Sequence, residues 1–166
     1  QGQNLYNLFT KLTVGYQDSI DFSTFPIPFA CVAVDLNTNK EVVFHSGNIV
    51  EAIRASMAIP GYFAPVKTDN HYLVDGGILN NYPVDVAREM GADIIIGVDL
   101  HSETNAEYQE VTSLIDALDQ MINLMEGNKT EKNRRITDIR ITPLVSKYGT
   151  LDFDLKQRES DPAIIP

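Results

Sequence analysis

"PVDVAREMG" (83–91) runs directly into "ADIIIGVDL" (92–100), and the reading of these two stretches decides the fold class. Proline at the first helical position costs no hydrogen bond, because the first amides of a helix have no intrahelical acceptor. Gly91 suits the C-terminal cap of the same helix. The run that follows is short, apolar and β-branched, and it ends in polar residues. A helix feeding such a strand is half of a βαβ unit. The expectation is an α/β domain with a mostly parallel central sheet. In such sheets active groups gather at the carboxyl ends of the strands.

Upstream of this pair, "NLYNLFTKLT" (4–13) places Leu5, Leu8, Phe9 and Leu12 at helical spacing. Residues 15–28 are polar, contain Pro26 and Pro28, and read as a connection. "FACVAVDL" (29–36) has the continuous apolar character of a strand buried on both faces, "NTNK" (37–40) is a turn, and "EVVFHS" (41–46) is the returning strand. Asn48 caps a helix with Ile49, Ile53 and Met57 on one face, stopped at Pro60–Gly61. "FAPVKTDNHYLVDGG" (63–77) reads as a hairpin turning at Asp69–Asn70. Downstream, residues 106–126 carry a stripe of Val111, Leu114, Ile115, Leu118, Met121, Ile122 and Met125, the pattern of an amphipathic helix. "KTEKNRR" (129–135) reads as a solvated charged segment and "ITDIRITPL" (136–144) as one more strand.

The chain has 166 residues, enough for one domain, and its net charge of -10 sets it against phosphate backbones. Nucleic-acid binding is therefore not expected, and any lipid contact must be apolar or very local. Cys31 is alone, which excludes an intrachain disulfide and a cysteine-based zinc site; its apolar setting suits a small core side chain. No apolar stretch has the length of a transmembrane helix. "QGQNLYNLFTKL" (1–12) has no secretory pattern and begins mid-phrase, as if continuing from something longer, so compartment stays open.

The chemistry centres on "VDGGILNN" (74–81), where Asp75 ends a strand and is followed by Gly76 and Gly77. Asp-Gly is a common turn dipeptide. However, the hairpin already turns at Asp69–Asn70, and two glycines leave room for a ligand or a neighbouring backbone. A carboxylate there suits a general base, a nucleophile or a metal ligand. No Gly-x-Ser-x-Gly, no glycine-rich oxyanion loop and no nucleotide-binding glycine motif occurs in these residues. His71, Asp75, Asp99 and His101 have ligand chemistry without ligand spacing, and solvated or capping roles suit each of them better. Asn80 and Asn81 read as turn and helix-entry residues able to bond the Asp75 loop. Arg54 reads as a surface cation, and Met57 and Phe63 as core residues.

"AIRASMAIPGYFAPV" (52–66), "YLVDGGILNNYPVDVAREMGAD" (72–93) and "IIIGVDL" (94–100) resemble, in order, the second half of a bacterial patatin-like phospholipase domain. The resemblance covers about residues 1–145 and leaves 146–166 as a tail. It implies a single three-layer α/β/α domain, incomplete on its N-terminal side. It also implies lipid ester hydrolysis by a Ser–Asp dyad without histidine, with no cofactor and with transient contact to a membrane surface. By the resemblance Asp75 is the general base, and Gly76 and Gly77 complete its motif. The serine elbow and oxyanion loop of that family have no counterpart here, so the chain alone is expected to be inactive. Two other readings stand beside it. One is a non-catalytic α/β binding or scaffold module, self-associating through an exposed sheet edge. The other is a metal-dependent hydrolase using Asp75, Asp99 and His101.

Overall fold

The computed structural model describes residues 2–16, 18–100, 117, 120, 121 and 129–143. Helix α1 spans Gln3–Leu12, and its Phe9 packs against a cluster of Phe22, Ile49, Val50 and Ala52. Strand β1 (Ile20–Asp21) pairs with β4 (Ser46–Gly47), and a short 3-10 turn at Phe22–Thr24 buries Phe22 completely. Strand β2 (Cys31–Asp35) returns as β3 (Lys40–Phe44). Helix α2 (Ile49–Ser56) begins where the Asn48 side chain accepts hydrogen bonds from the Val50 and Glu51 amides, as its sequence predicts. Strands β5 (Val66–Thr68) and β6 (His71–Asp75) form the expected hairpin, with Asp69 at φ 36 in the turn.

The main sheet has the order β3-β2-β6-β5, and every neighbouring pair in it is antiparallel. This corrects the expectation of a mostly parallel sheet. β2–β3 and β5–β6 are each joined by a tight turn, and a tight turn can join only antiparallel strands. β2 and β6 then pair antiparallel, with Ala33 opposite Asp75 and Asp35 opposite Leu73. Helix α2 packs across β2, β6 and β5, so a helical layer covers this face of the sheet. The fold is thus mixed α/β.

Parallel pairing occurs where the opening stretch lies. After α3 (Gly77–Asn80) and α4 (Val84–Glu89), β7 (Ile96–Val98) pairs in parallel with β8 (Ile139–Ile141). Pro83 occupies the cap position of α4 rather than its first helical turn, and Gly91 takes φ 93 as expected after the helix. β7 is not buried on both faces. Ile95, Gly97 and Asp99 turn inward, while Ile96 and Val98 are 63% and 52% exposed. Gly97 is obligatory here, since a Cβ on it would stand 1.9 Å from the Tyr82 hydroxyl.

Residues 129–135 form a helix, not a solvated segment. Thr130 and Asn133 are buried in it, while Glu131 and Lys132 face outward. The inward face is polar, so no apolar periodicity announces it. The stripe over residues 106–126 and the tail over 146–166 fall largely or wholly outside the described residues.

Candidate active site

Asp75 is the last residue of β6, half-buried at the strand's carboxyl end. Its amide donates to the Ala58 carbonyl at 3.1 Å, which ties the strand end to the segment after α2. One carboxylate oxygen accepts from the Gly77 amide at 2.8 Å. Burial pushes the carboxyl above its ordinary range, and that single amide hydrogen bond works against the rise. A carboxylate with raised proton affinity at a strand end is suited to take a proton from a hydroxyl. Among the described residues no serine hydroxyl is bonded to it.

The two glycines have different physical reasons. A Cβ on Gly76 would lie 2.4 Å from the Val32 carbonyl oxygen and 2.6 Å from its carbon, so this position passes directly over the backbone of β2. A Cβ on Gly77 would lie 2.9 Å from the Asn81 side-chain oxygen and 3.1 Å from an Asp75 carboxylate oxygen. The space beside the carboxylate that the glycine pair implied is therefore occupied on the Gly76 side by a neighbouring backbone. Asn81 lies against Gly77, and the Asn80 amide closes the turn onto the Gly76 carbonyl at 2.9 Å.

The loop carrying Asp75 is anchored by a polar network that the sequence alone does not reveal. Asn80 is 2% exposed, and its amide nitrogen donates to Glu41 at 2.9 Å and Asp85 at 3.0 Å. Asn133, also 2% exposed, donates to the Asn80 side-chain oxygen, the Tyr82 carbonyl and Asp85 at 3.1, 2.7 and 2.9 Å. Lys129 bridges Glu41 and Asp85. Burial works to raise the Asp85 carboxyl, but the bonds from Asn80, Lys129 and Asn133 outweigh it and hold it below its usual range. Buried amides with satisfied partners fix one geometry, since an unpaired buried donor is costly. The only sequence-level signal was Asn80 beside the Asp-Gly-Gly motif; Asn133 lies 53 residues away.

The described candidate metal ligands, His71, Asp75 and Asp99, form no metal-binding group. His71 opens β6, at the far end of the strand from Asp75, and its Nδ1 lies 2.8 Å from the buried Asp35 carboxylate. Burial opposes ionisation of Asp35, yet hydrogen bonds from His71, Thr38 and the Asn37 amide hold its pKa at about 2. Asp99 pairs with Arg134 at 2.7 Å. Among the described residues no three His, Cys, Asp or Glu side chains stand close enough to hold a metal ion, and His101 lies outside them. Burial pushes the Cys31 thiol up to about 12, in keeping with an inert packing role. Arg54, expected at the surface, is buried. Phe63 lies beneath its guanidinium, 5.2 Å from Cζ to the ring centroid. Among the described residues no helix is long and apolar enough to cross a membrane.

Parts of this chain are similar to known proteins. Patatin-like phospholipase domain-containing protein 7 of Mus musculus is 36% identical over 94 residues, covering 55% of this chain and 7% of the mouse protein. An uncharacterized NTE family protein of Mycobacterium bovis is 46% identical over 76 residues, covering 46% of this chain and 21% of that protein. Patatin-like phospholipase domain-containing protein 6 of Homo sapiens is 36% identical over 83 residues, covering 49% of this chain and 6% of the human protein. The chain thus spans a small part of the length of each of these relatives. Residues 7–88, which include both α2 and the Asp75 loop, match the family model of the patatin-like phospholipases.

Proposed function

We propose that this chain carries the general-base part of a patatin-like lipid acyl hydrolase of bacterial type. Residues 1–145 are then the C-terminal part of one three-layer domain, whose serine elbow and oxyanion donors lie outside these residues. Asp75 takes the proton of the serine hydroxyl as it attacks the lipid ester carbonyl, and returns it to the leaving alkoxide. Gly76 lets the strand end pass over β2, and Gly77 supplies the amide that orients the carboxylate. The observation that carries this reading is the Asp75 carboxylate itself. It is half-buried, bonded to one backbone amide, and raised in proton affinity by desolvation. No cofactor enters this chemistry.

Hydrolysis of a short-chain p-nitrophenyl ester tests it in two proteins, this chain and a longer one that includes a Gly-x-Ser-x-Gly segment upstream. The chain alone is expected to be inactive. Asp75→Ala in the longer protein is expected to lower the rate by about 10²–10⁴-fold. Unchanged activity after that substitution would refute the assignment, as would activity of the chain alone that survives it.

A second reading, a non-catalytic module that pairs with another copy, rests on the outer strands of the sheet, β3 and β5. Sedimentation showing only monomer at high concentration would exclude it.

A further inference from the structure

Asn80 and Asn81 are adjacent in sequence and opposite in setting. Asn80 is buried, and Glu41 and Asp85 accept from its amide. Asn81 is exposed and caps the end of α3. Its side chain turns back over Gly77, toward the Asp75 carboxylate. Among the described residues no group hydrogen-bonds that side chain, so the amide stays free to meet a small polar molecule.

The backbone of Gly77 does not itself require glycine. It is the first residue of α3, and its φ lies outside the left-handed region. The bare Cα serves the space beside it. A Cβ there would stand 2.9 Å from Oδ1 of Asn81 and 3.1 Å from Oδ1 of Asp75. The two oxygens therefore flank one small gap with a glycine at its base. The Asp75 oxygen accepts from the Gly77 amide at 2.8 Å, and a carboxylate oxygen can accept a second hydrogen bond. A gap between two acceptors fits a molecule that donates twice. In ester hydrolysis the ester has no O–H and the serine has one, whereas water has two.

We propose that Asn81 and Asp75 together hold the water that hydrolyses the acyl-enzyme. This inference rests on the general-base role proposed for Asp75. The water donates one hydrogen to Asp75 and the other to Oδ1 of Asn81, which turns a lone pair toward the acyl carbon. Its oxygen bonds to that carbon as Asp75 takes the first proton. The bond from the carbon to the serine oxygen then breaks, and Asp75 returns the proton to that oxygen. The fatty acid leaves with the second hydrogen of the water, and the serine and Asp75 are restored. Attack of the serine on the lipid ester uses no water, so Asn81 acts on the second half of the reaction only.

The test uses the longer protein, with its Gly-x-Ser-x-Gly segment, and a p-nitrophenyl ester followed by stopped-flow absorbance and intact-mass spectrometry. Leucine is close to asparagine in size and lacks the acceptor. Asn81→Leu is expected to release the first equivalent of p-nitrophenol at the wild-type rate, which also shows that the variant is folded. Later turnovers should be about 10²-fold slower, the effect of a misplaced reactant. The acyl-enzyme should then accumulate as a mass adduct of one acyl group. Wild-type turnover in Asn81→Leu overturns the inference. So does equal slowing of the first release and of later turnovers, which marks a structural role. Asp75→Ala separates this inference from the reading beneath it. If Asp75→Ala abolishes the first release while Asn81→Leu turns over normally, only the water site fails. If Asp75→Ala leaves the first release unchanged, the base assignment fails and the water site with it.

Discussion

Replacing Gly76 by alanine tests whether that glycine serves the strand contact or the carboxylate. The new Cβ would lie 2.4 Å from the Val32 carbonyl oxygen, where ordinary contact begins at 3.4 Å. Relief needs a movement of 1.0 Å, the difference of those two distances, between β2 and the end of β6. The obstructing atom is backbone beside a ladder that pairs Ala33 with Asp75, so no side chain can rotate away. Overpacking of this kind costs about 3 kcal/mol, the upper part of the usual range. Alanine recovers about 0.5–1 kcal/mol by restricting the unfolded chain, and the native φ of -67 at Gly76 suits it. The net loss is about 2 kcal/mol, or a fall in Tm of roughly 4–8 °C for a chain of this size. Gly77→Ala is the comparison. Its nearest obstacle is the Asn81 side chain, which can turn aside, and alanine is favoured in a helical turn, so the change should be near neutral. Urea unfolding followed by circular dichroism measures both. The reasoning fails if Gly76→Ala is as stable as the wild type, or if Gly77→Ala costs as much.

Asp75→Asn should stabilise the fold at neutral pH. Burial raises the Asp75 carboxyl above 3.8, so the folded state binds its proton more tightly than the unfolded state does. The stability this group contributes is present below pH 3.8 and is lost as pH rises through the folded-state value. Asparagine carries no such penalty and still accepts from the Gly77 amide, so Tm against pH should show a gain at pH 7 that vanishes at pH 3; an equal gain at both would refute the assignment. Asn133→Ala should cost about 2 kcal/mol by stranding the Tyr82 carbonyl and the Asn80 side-chain oxygen, read as a lower urea midpoint with unchanged m. A change below about 0.5 kcal/mol would show that the network is not a structural anchor.

What the sequence determined by itself is local. The Asn48 cap, the turn at Asp69, the left-handed Gly91 and the strand ending at Asp75 each depend on residues within a few positions of one another. Backbone sterics and capping hydrogen bonds act over that range. The Asp-Gly-Gly pattern likewise marked the candidate site, and the match over residues 7–88 agrees with the family that pattern resembles. The tertiary structure decided everything that rests on which distant groups meet. The turns joining β2–β3 and β5–β6 made their sheet antiparallel, while the parallel pairing first read from residues 83–100 holds for β7 and β8. Arg54 looked like a surface cation until α2 packed across the sheet and the start of α1 lay against its guanidinium. Asn133 looked like part of a charged run, because a helix that turns polar groups inward leaves no apolar period. Its worth comes from Asn80 and Asp85, which only folding brings within hydrogen-bond reach.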